Sequence, residues 1–349
     1  MKVGVYYNNK DVRLEERPKP QIGPHEILFK VKACGICGSD VLEWYRIKKA
    51  PLVLGHEATG EIVEVGRDVK EYHPGQRVFV SHHVPCGKCR YCLSGSETAC
   101  STLHTTNYFP GGFSEYVRVP AINLETGVLV LPDEISYAEG TFIEPLACVV
   151  RAQRSIQMQA GQAVLILGSG ISGLLHLMLA RLSGAGPIIM TDISEYRLNK
   201  ALELGADAVI NAKEDVIAHL RKANSGRLAD QVIISTGATP AFNQALAAVD
   251  RAGTILCFAC PPPGITMNIP VNDFWRNAVK IIHSYGAGPN DLTEALDLLR
   301  SKKTLSRLRA RLSVEKLITH RMGLKDIGLG FRLVSEGKDC IKVIIEPEE

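Results

Sequence analysis

Four of the chain's ten cysteines, Cys86, Cys89, Cys92 and Cys100, fall within fifteen residues in the pattern C-x2-C-x2-C-x7-C. Four thiolates at such short spacing close a tetrahedral shell around Zn2+ and leave no position for a substrate. The cluster therefore predicts a structural zinc. Two other readings are weaker. Free surface thiols have no reason to gather in this way, and a zinc ribbon for nucleic acid needs a dense basic surround that this loop lacks. Disulfide frameworks serve small secreted domains with poor cores; this chain has 349 residues, 46% of them hydrophobic.

A second set is scattered: Cys37, then His56 and Glu57, then Glu144. Each has an ordinary reading alone, as a small buried thiol, a satisfied core histidine, or a glutamate opening a helix beside Pro145. Together they offer a thiolate, an imidazole and carboxylates, a mixed set suited to a catalytic zinc with an exchangeable position. Spacing alone does not connect them.

The third motif is Gly168-Ser169-Gly170-Ile171-Ser172-Gly173, a GxGxxG that follows the apolar run AVLIL and opens LLHLMLA. In that context Gly168 permits the tight turn and Gly170 lets backbone amides approach a pyrophosphate at a helix N-terminus. Gly173 allows close helix–strand packing. Asp192 ends the next apolar run, IIMTD, 19 residues after Gly173. A carboxylate there accepts hydrogen bonds from the adenosine ribose and repels a 2′-phosphate, so NAD is expected over NADP. Arg197 is expected to pack near the adenosine end.

The elements that must carry these residues fall into two kinds. Through residue 145 the pattern is strand-rich: Ile27–Val31, Gly60–Val65 and Gln76–Val80 alternate between Gly and Pro punctuation. Ser39–Arg46 is a short helix candidate, and Ile143–Arg154 a longer one. From Ala163 onward strands alternate with helices, ending in the strands Thr254–Phe258 and Val279–Ser284, which implies βαβ units and a parallel sheet. The expected fold is α/β: a doubly wound dinucleotide domain at 148–285, inserted into a β-rich domain made of 1–147 and 286–349.

Composition excludes several function classes. A net charge of +3 is too mild to argue for nucleic acid or an anionic membrane. The apolar run Ala163–Ala180 is interrupted by glycines and His176 and fits a buried strand and helix rather than a membrane span. The charged N-terminus lacks a secretory core, so a cytoplasmic protein is expected. Residues 300–325 hold nine Lys/Arg against Glu315 alone. A solvated surface is the ordinary reading; attraction of an anionic substrate is the sharper one.

Taken together, these motifs make the chain resemble the zinc-dependent medium-chain dehydrogenases, in the sorbitol and L-threonine dehydrogenase branch. The resemblance rests on Cys37-Gly38-Ser39-Asp40, on GHEATGEIVEVGRDV at 55–69, on the cysteine cluster, on FIEPL at 142–146, on TDISEYRL at 191–198 and on ITHR at 318–321. It implies a GroES-like catalytic domain with a Rossmann domain, two zincs per chain, and assembly as a homodimer or homotetramer. It implies a catalytic zinc held by Cys37, His56 and Glu144, with Glu57 a direct ligand or a partner of the bound water. Ser39 corresponds to the hydroxyl that takes the substrate proton. Ser172, Asp192, Arg197, Phe258 and Tyr285 fall where the threonine branch contacts NAD. One departure stands out: many relatives carry a histidine three residues after the relay hydroxyl, and here that residue is Leu42. His82 and His83 are candidate substitutes, and Trp44, His82 and Phe109 candidate pocket residues. The expected activity is hydride transfer from a secondary alcohol (polyol, sugar alcohol or amino alcohol) to NAD+. An NADPH-linked aldehyde or ketone reductase, or a non-catalytic binding protein, are the alternatives.

Overall fold

The computed structural model describes residues 1–300 and 312–348. Residues 301–311, which carry part of the basic 300–325 segment, lie outside the described residues. The chain divides into two compact units. One comprises residues 1–147 with 287–300 and 313–348, the other chiefly Cys148–Gly286.

The first unit is built on a seven-stranded sheet. Its main path runs Ile318–Gly323, Lys342–Glu346, Ile27–Gly35, Glu57–Val65, Arg77–Ser81 and Val128–Val130, with Tyr116–Val119 also paired to Ile27–Gly35. All pairings are antiparallel except that of Ile318–Gly323 with Lys342–Glu346. Val31, Ala58, Ile62, Val78 and Val80 are fully buried in the core, with Phe113, Phe331 and Val343. This burial is the main favourable term holding the sheet together. The register decides where function can sit. Gly35 pairs with Glu57 and Glu57 with Ser81, while Ile36 N–H donates to Val343 O. The end of one strand, the start of the next, the end of a third and the start of the C-terminal strand therefore meet at one rim.

The helix expected over Ser39–Arg46 is broken. A 3-10 turn at Gly38–Val41 and a short α-helix at Glu43–Arg46 are separated by Leu42, whose backbone is non-helical (φ −75°, ψ 86°). Cys37 caps the first piece: its sulfur accepts from Ser39 N–H and its own N–H donates to Asp40 Oδ2. The Ser39 carbonyl, which a continuous α-helix would offer to the amide of residue 43, accepts from the Arg46 side chain instead.

The second unit is a six-stranded parallel sheet in the order Ala208–Asn211, Ile188–Asp192, Val164–Leu167, Ala229–Ile234, Val249–Cys257, Lys280–His283. The first three run backwards in chain order and the last three forwards, so the order reverses between Val164–Leu167 and Ala229–Ile234. That switch is the doubly wound signature. Val164, Leu165, Ile166 and Leu167 are buried on both faces, as a central parallel strand requires. Among the described residues, no helix is long and apolar enough to cross a membrane.

Candidate functional site

The sheet rim of the first unit gathers Cys37, His56 and Glu57, whose ligand atoms lie within 4.8 Å of one another. His56 is 8% and Glu57 1% exposed. His56 Nδ1 faces Asp40 Oδ1 at 3.3 Å, which leaves the other ring nitrogen for Cys37 or a metal. Burial depresses the imidazole's basicity, but the Asp40 carboxylate and the Cys37 sulfur outweigh it and hold the pKa well above its usual value. Burial likewise works against the Asp40 carboxylate, and His56 and Arg46 more than compensate, leaving its pKa below normal. A cation-seeking pocket of soft sulfur, imidazole and carboxylate is the result.

Glu144 lies in the first turn of the helix Ile143–Ser155. Its charge acts on Tyr108 and on Lys342, so it belongs to the same electrostatic neighbourhood. It is not among the three mutually close donors.

Two residues at this rim are not evident from the sequence. Lys342 is completely buried; its ammonium contacts Glu57 Oε2 and donates to Ile36 O at 3.1 Å. Burial lowers its pKa, yet Glu57, Cys37 and Glu144 together raise it above the ordinary lysine value, so it stays charged. Gly35 makes room for the pair: a Cβ there would sit 2.0 Å from Glu57 Oε2 and 2.7 Å from Lys342 Cε. The one sequence signal is a lone lysine inside the apolar run Cys340–Ile345. Arg46 is the second. Its Nη2 donates to Ser39 Oγ at 3.1 Å and its Nε to Ser39 O at 3.0 Å, while Nη2 lies 3.5 Å from Asp40 Oδ1. The hydroxyl expected to take a substrate proton is thus held by a guanidinium, four residues beyond Leu42. A guanidinium donates only and cannot carry that proton onward.

His82 and His83 follow the strand Arg77–Ser81 and stack at 3.7 Å between ring centroids; His82 lies 4.9 Å from the His56 ring. Burial pushes both imidazoles down, His83 to about 4. Trp44 is partly buried against Tyr45, and Phe109 is exposed.

In the cysteine cluster the sulfur separations are 3.5 Å for Cys89–Cys92, 3.6 Å for Cys100–Cys86 and 4.0 Å for Cys86–Cys92. A tetrahedron with metal–sulfur bonds of about 2.3 Å spaces its corners by about 3.8 Å. The four thiols are unpaired by disulfides. Their protons are unevenly held: burial and neighbouring thiols push Cys92 up to about 12, while at Cys100 the backbone amides of Cys86 and Leu103 overcome burial and bring it down to about 5. All four can ionise together only around a cation, so the geometry and the donor set both fit a zinc ion.

The glycine-rich turn of the second unit has the form its sequence implies. Gly168 has φ +102°, and a Cβ on Gly173 would meet Gly168 O at 1.9 Å. The helix Ile171–Leu182 starts there with Gly170 as its cap, and Ser172 lies in its first turn. Asp192, 8% exposed, accepts from Ser169 N–H at 2.8 Å and from Ser194 N–H at 2.9 Å, so both carboxylate oxygens are held at the strand's end. Arg197 reaches toward the turn, its Nη1 3.9 Å from where a Gly170 Cβ would lie, and its buried Nε has no hydrogen-bond partner. Phe258 and Tyr285 follow the carboxyl ends of Val249–Cys257 and Lys280–His283, the side of an open parallel sheet where ligands bind. Phe258 stacks edge-on against His176 at 4.7 Å.

Comparison with known proteins gives this geometry a context. Residues 23–132 match the alcohol dehydrogenase GroES-like domain, and residues 172–301 match the zinc-binding dehydrogenase domain. The chain is 32% identical over 342 residues to an L-threonine 3-dehydrogenase of Rhizobium johnstonii, covering 95% of this chain and 94% of that one. It is 34% identical over 281 residues to a sorbitol dehydrogenase of Bacillus subtilis, covering 77% of this chain and 78% of the relative. Among solved structures, a Sinorhizobium meliloti protein assigned as a zinc-binding dehydrogenase and bound to NADP superposes with a TM-score of 0.85, at 26% identity and 99% coverage of both chains. Two domain models in order, near full-length likeness to an L-threonine dehydrogenase and likeness over about three-quarters of the chain to a sorbitol dehydrogenase show that the chain belongs to the zinc-dependent medium-chain dehydrogenases, alcohol-type oxidoreductases, in their sorbitol and L-threonine dehydrogenase branch.

Proposed function

We propose that the protein is an NAD-dependent zinc alcohol dehydrogenase that oxidises a secondary alcohol of the polyol, sugar-alcohol or amino-alcohol type. The observation that carries this reading is the convergence of Cys37, His56 and Glu57 at one rim, with Ser39 beside them, its N–H donating to the Cys37 sulfur. In this reading Cys37, His56 and Glu144 hold a catalytic zinc, and Cys86, Cys89, Cys92 and Cys100 a structural one. Bound zinc supplies Lewis acidity at the alcohol oxygen. The chain does the rest. Ser39 accepts the hydroxyl proton as it passes its own to solvent water, its oxygen oriented by Arg46. Asp40 fixes the His56 ring through Nδ1, as a carboxylate behind a ligating histidine does. Lys342 holds Glu57 by one oxygen and thereby balances its buried charge. The second unit binds the dinucleotide, with its pyrophosphate at Gly168–Gly173, its ribose at Asp192, and Ser172, Arg197, Phe258 and Tyr285 around it. Cofactor chemistry then does the redox work, while the protein orients.

Asp192 supports NAD, because a carboxylate held at the end of this strand by Ser169 and Ser194 N–H would repel a 2′-phosphate. The uncommitted Nε of Arg197 and the NADP-bound relative favour a second reading, in which NADP is the coenzyme. Titrating NADH and NADPH against protein fluorescence separates the two: tighter NADH binding is expected, and tighter NADPH binding defeats the Asp192 assignment. The dehydrogenase reading itself is tested by metal analysis joined to a screen of polyols, L-threonine, 2,3-butanediol and sugar phosphates at the NADH absorbance. Two zincs per chain and turnover of at least one alcohol are expected. One zinc and no turnover would leave a dehydrogenase-fold binding protein.

The same reading has the enzyme working in the cytoplasm as a homodimer or homotetramer. Val271 and Trp275, 71% and 77% exposed, lie beside Lys280–His283, the edge strand of the parallel sheet. An exposed apolar patch at a strand edge that no other described strand pairs suits a second copy, and sedimentation counts the subunits.

A further inference from the structure

His82 has a nitrogen that no group among the described residues uses. Its Nδ1 is sealed from solvent and has no hydrogen-bond partner. Its Nε2 makes no hydrogen bond either, but it is not among the sealed atoms, and the residue as a whole is only partly buried. The backbone that carries the ring is held on both sides. Asn123, fully buried, donates to Ser81 O at 2.9 Å and to His82 O at 3.1 Å, while Ser81 Oγ donates to His83 O at 2.8 Å. The His83 ring stacks on one face, and the His56 ring lies 4.9 Å away.

The sealing of Nδ1 decides the tautomer. A buried N–H with no acceptor is a rarer and costlier defect than a buried lone pair with no donor. The proton therefore sits on Nε2, and Nδ1 is the bare nitrogen. Burial, together with the cationic neighbourhood of His56, His83 and Arg46, disfavours a second proton. Nε2–H is a donor in either protonation state, so its role does not depend on titration. An N–H donor with no acceptor among the described residues stands beside the residues that would hold the reacting alcohol.

We propose that His82 is a specificity-determining residue whose Nε2–H hydrogen-bonds an oxygen on the carbon next to the one being oxidised. The inference rests on the alcohol dehydrogenase reading above and sharpens it. The preferred substrate class is the vicinal diol, or another alcohol with a neighbouring oxygen acceptor. A plain secondary alcohol leaves Nε2–H unpaired once water is displaced, which costs binding in the reacting state. A neighbouring ammonium has no lone pair and cannot accept this bond.

The test compares three alcohols that differ in one group: 2,3-butanediol, 2-butanol and 3-amino-2-butanol in its ammonium form, each with the zinc-loaded full-length protein and NAD. The diol is expected to have the highest kcat/KM. His82→Phe keeps the ring and its stacking but removes the donor. It should cut the diol-to-butanol ratio by about tenfold or more at unchanged zinc content, and His82→Gln, which carries an amide donor at similar reach, should recover part of the ratio. An unchanged ratio in His82→Phe, or an ammonium alcohol turned over as well as the diol, overturns the proposal. Nitrogen-15 spectra of the imidazole rings, with the His82 signals identified by their loss in His82→Phe or His82→Gln, give a readout that needs no turnover. A proton on Nε2 is expected, and a proton on Nδ1 overturns the assignment. Turnover of none of the three alcohols by zinc-loaded protein that binds NADH would instead defeat the dehydrogenase reading, and the spectra would still report the tautomer.

Discussion

The two donor clusters of the first unit differ in how the chain assembles them. Cys86, Cys89, Cys92 and Cys100 come from one loop of fifteen residues with only short helical turns between them. Cys37, His56 and Glu57 come from the ends of separate strands, and their support reaches from Asp40 and Arg46 to Lys342, nearly the whole length of the chain. The local cluster depends on little beyond its own turn. The dispersed one depends on register, because a slip of one residue between Ile27–Gly35 and Glu57–Val65 would turn Glu57 to the opposite face. The local set has no carboxylate or imidazole and suits a closed shell, whereas the mixed set carries charges that must be balanced one by one.

Breaking the dispersed cluster should have the largest effect. Cys37→Ser or His56→Ala is expected to lower turnover by several orders of magnitude and to remove one metal per chain, with NADH binding kept; activity retained in both would remove the catalytic role from this rim. Next comes Cys92→Ser, which should release the other metal. Binding energy at such a site is folding energy, so a fall in melting temperature measured by calorimetry is the expected outcome, and an unchanged transition would show the loop to be ornamental. Lys342→Met tests the charge balance. Removing one partner of a buried pair costs about 3–5 kcal/mol, and adding Glu57→Gln in the same chain should recover much of it in denaturant titrations. Full additivity of the two changes would mean the pair is not coupled. The smallest effect belongs to Arg46→Ala, where losing a charge-assisted hydrogen bond to Ser39 should reduce kcat about tenfold while KM changes little. Arg46→Lys should restore part of the loss, and a change in KM alone would reassign Arg46 to substrate binding.

The same contrast explains which features are legible in the amino-acid sequence and which are not. The cysteine cluster and the glycine-rich turn declare themselves because their chemistry is written in adjacent residues, and a Cβ at Gly173 has nowhere to go whatever surrounds it. The strand–helix alternation after Ala163 is equally plain, since central parallel strands must be apolar on both faces. Cys37, His56 and Glu144 are connected by resemblance and not by spacing. Arg46 is hidden by the expectation of one continuous helix from Ser39, which breaks at Leu42. Lys342 is hidden because a lysine's partner depends on which strands lie side by side. Only its intrusion into an apolar run, and a glycine at position 35, hint at a buried ammonium.

The pairing of Glu57 with Lys342 also sets an order on biosynthesis. Residue 57 leaves the ribosome 285 residues before residue 342, and the strand that delivers the ammonium follows the other strands that meet at this rim. Until residue 342 is made, the acid lacks this counter-charge and the rim cannot close over it dry. A nascent chain therefore keeps that corner wet and unfinished until then, and a message truncated before codon 342 would yield a protein with its sheet largely present and its working corner missing.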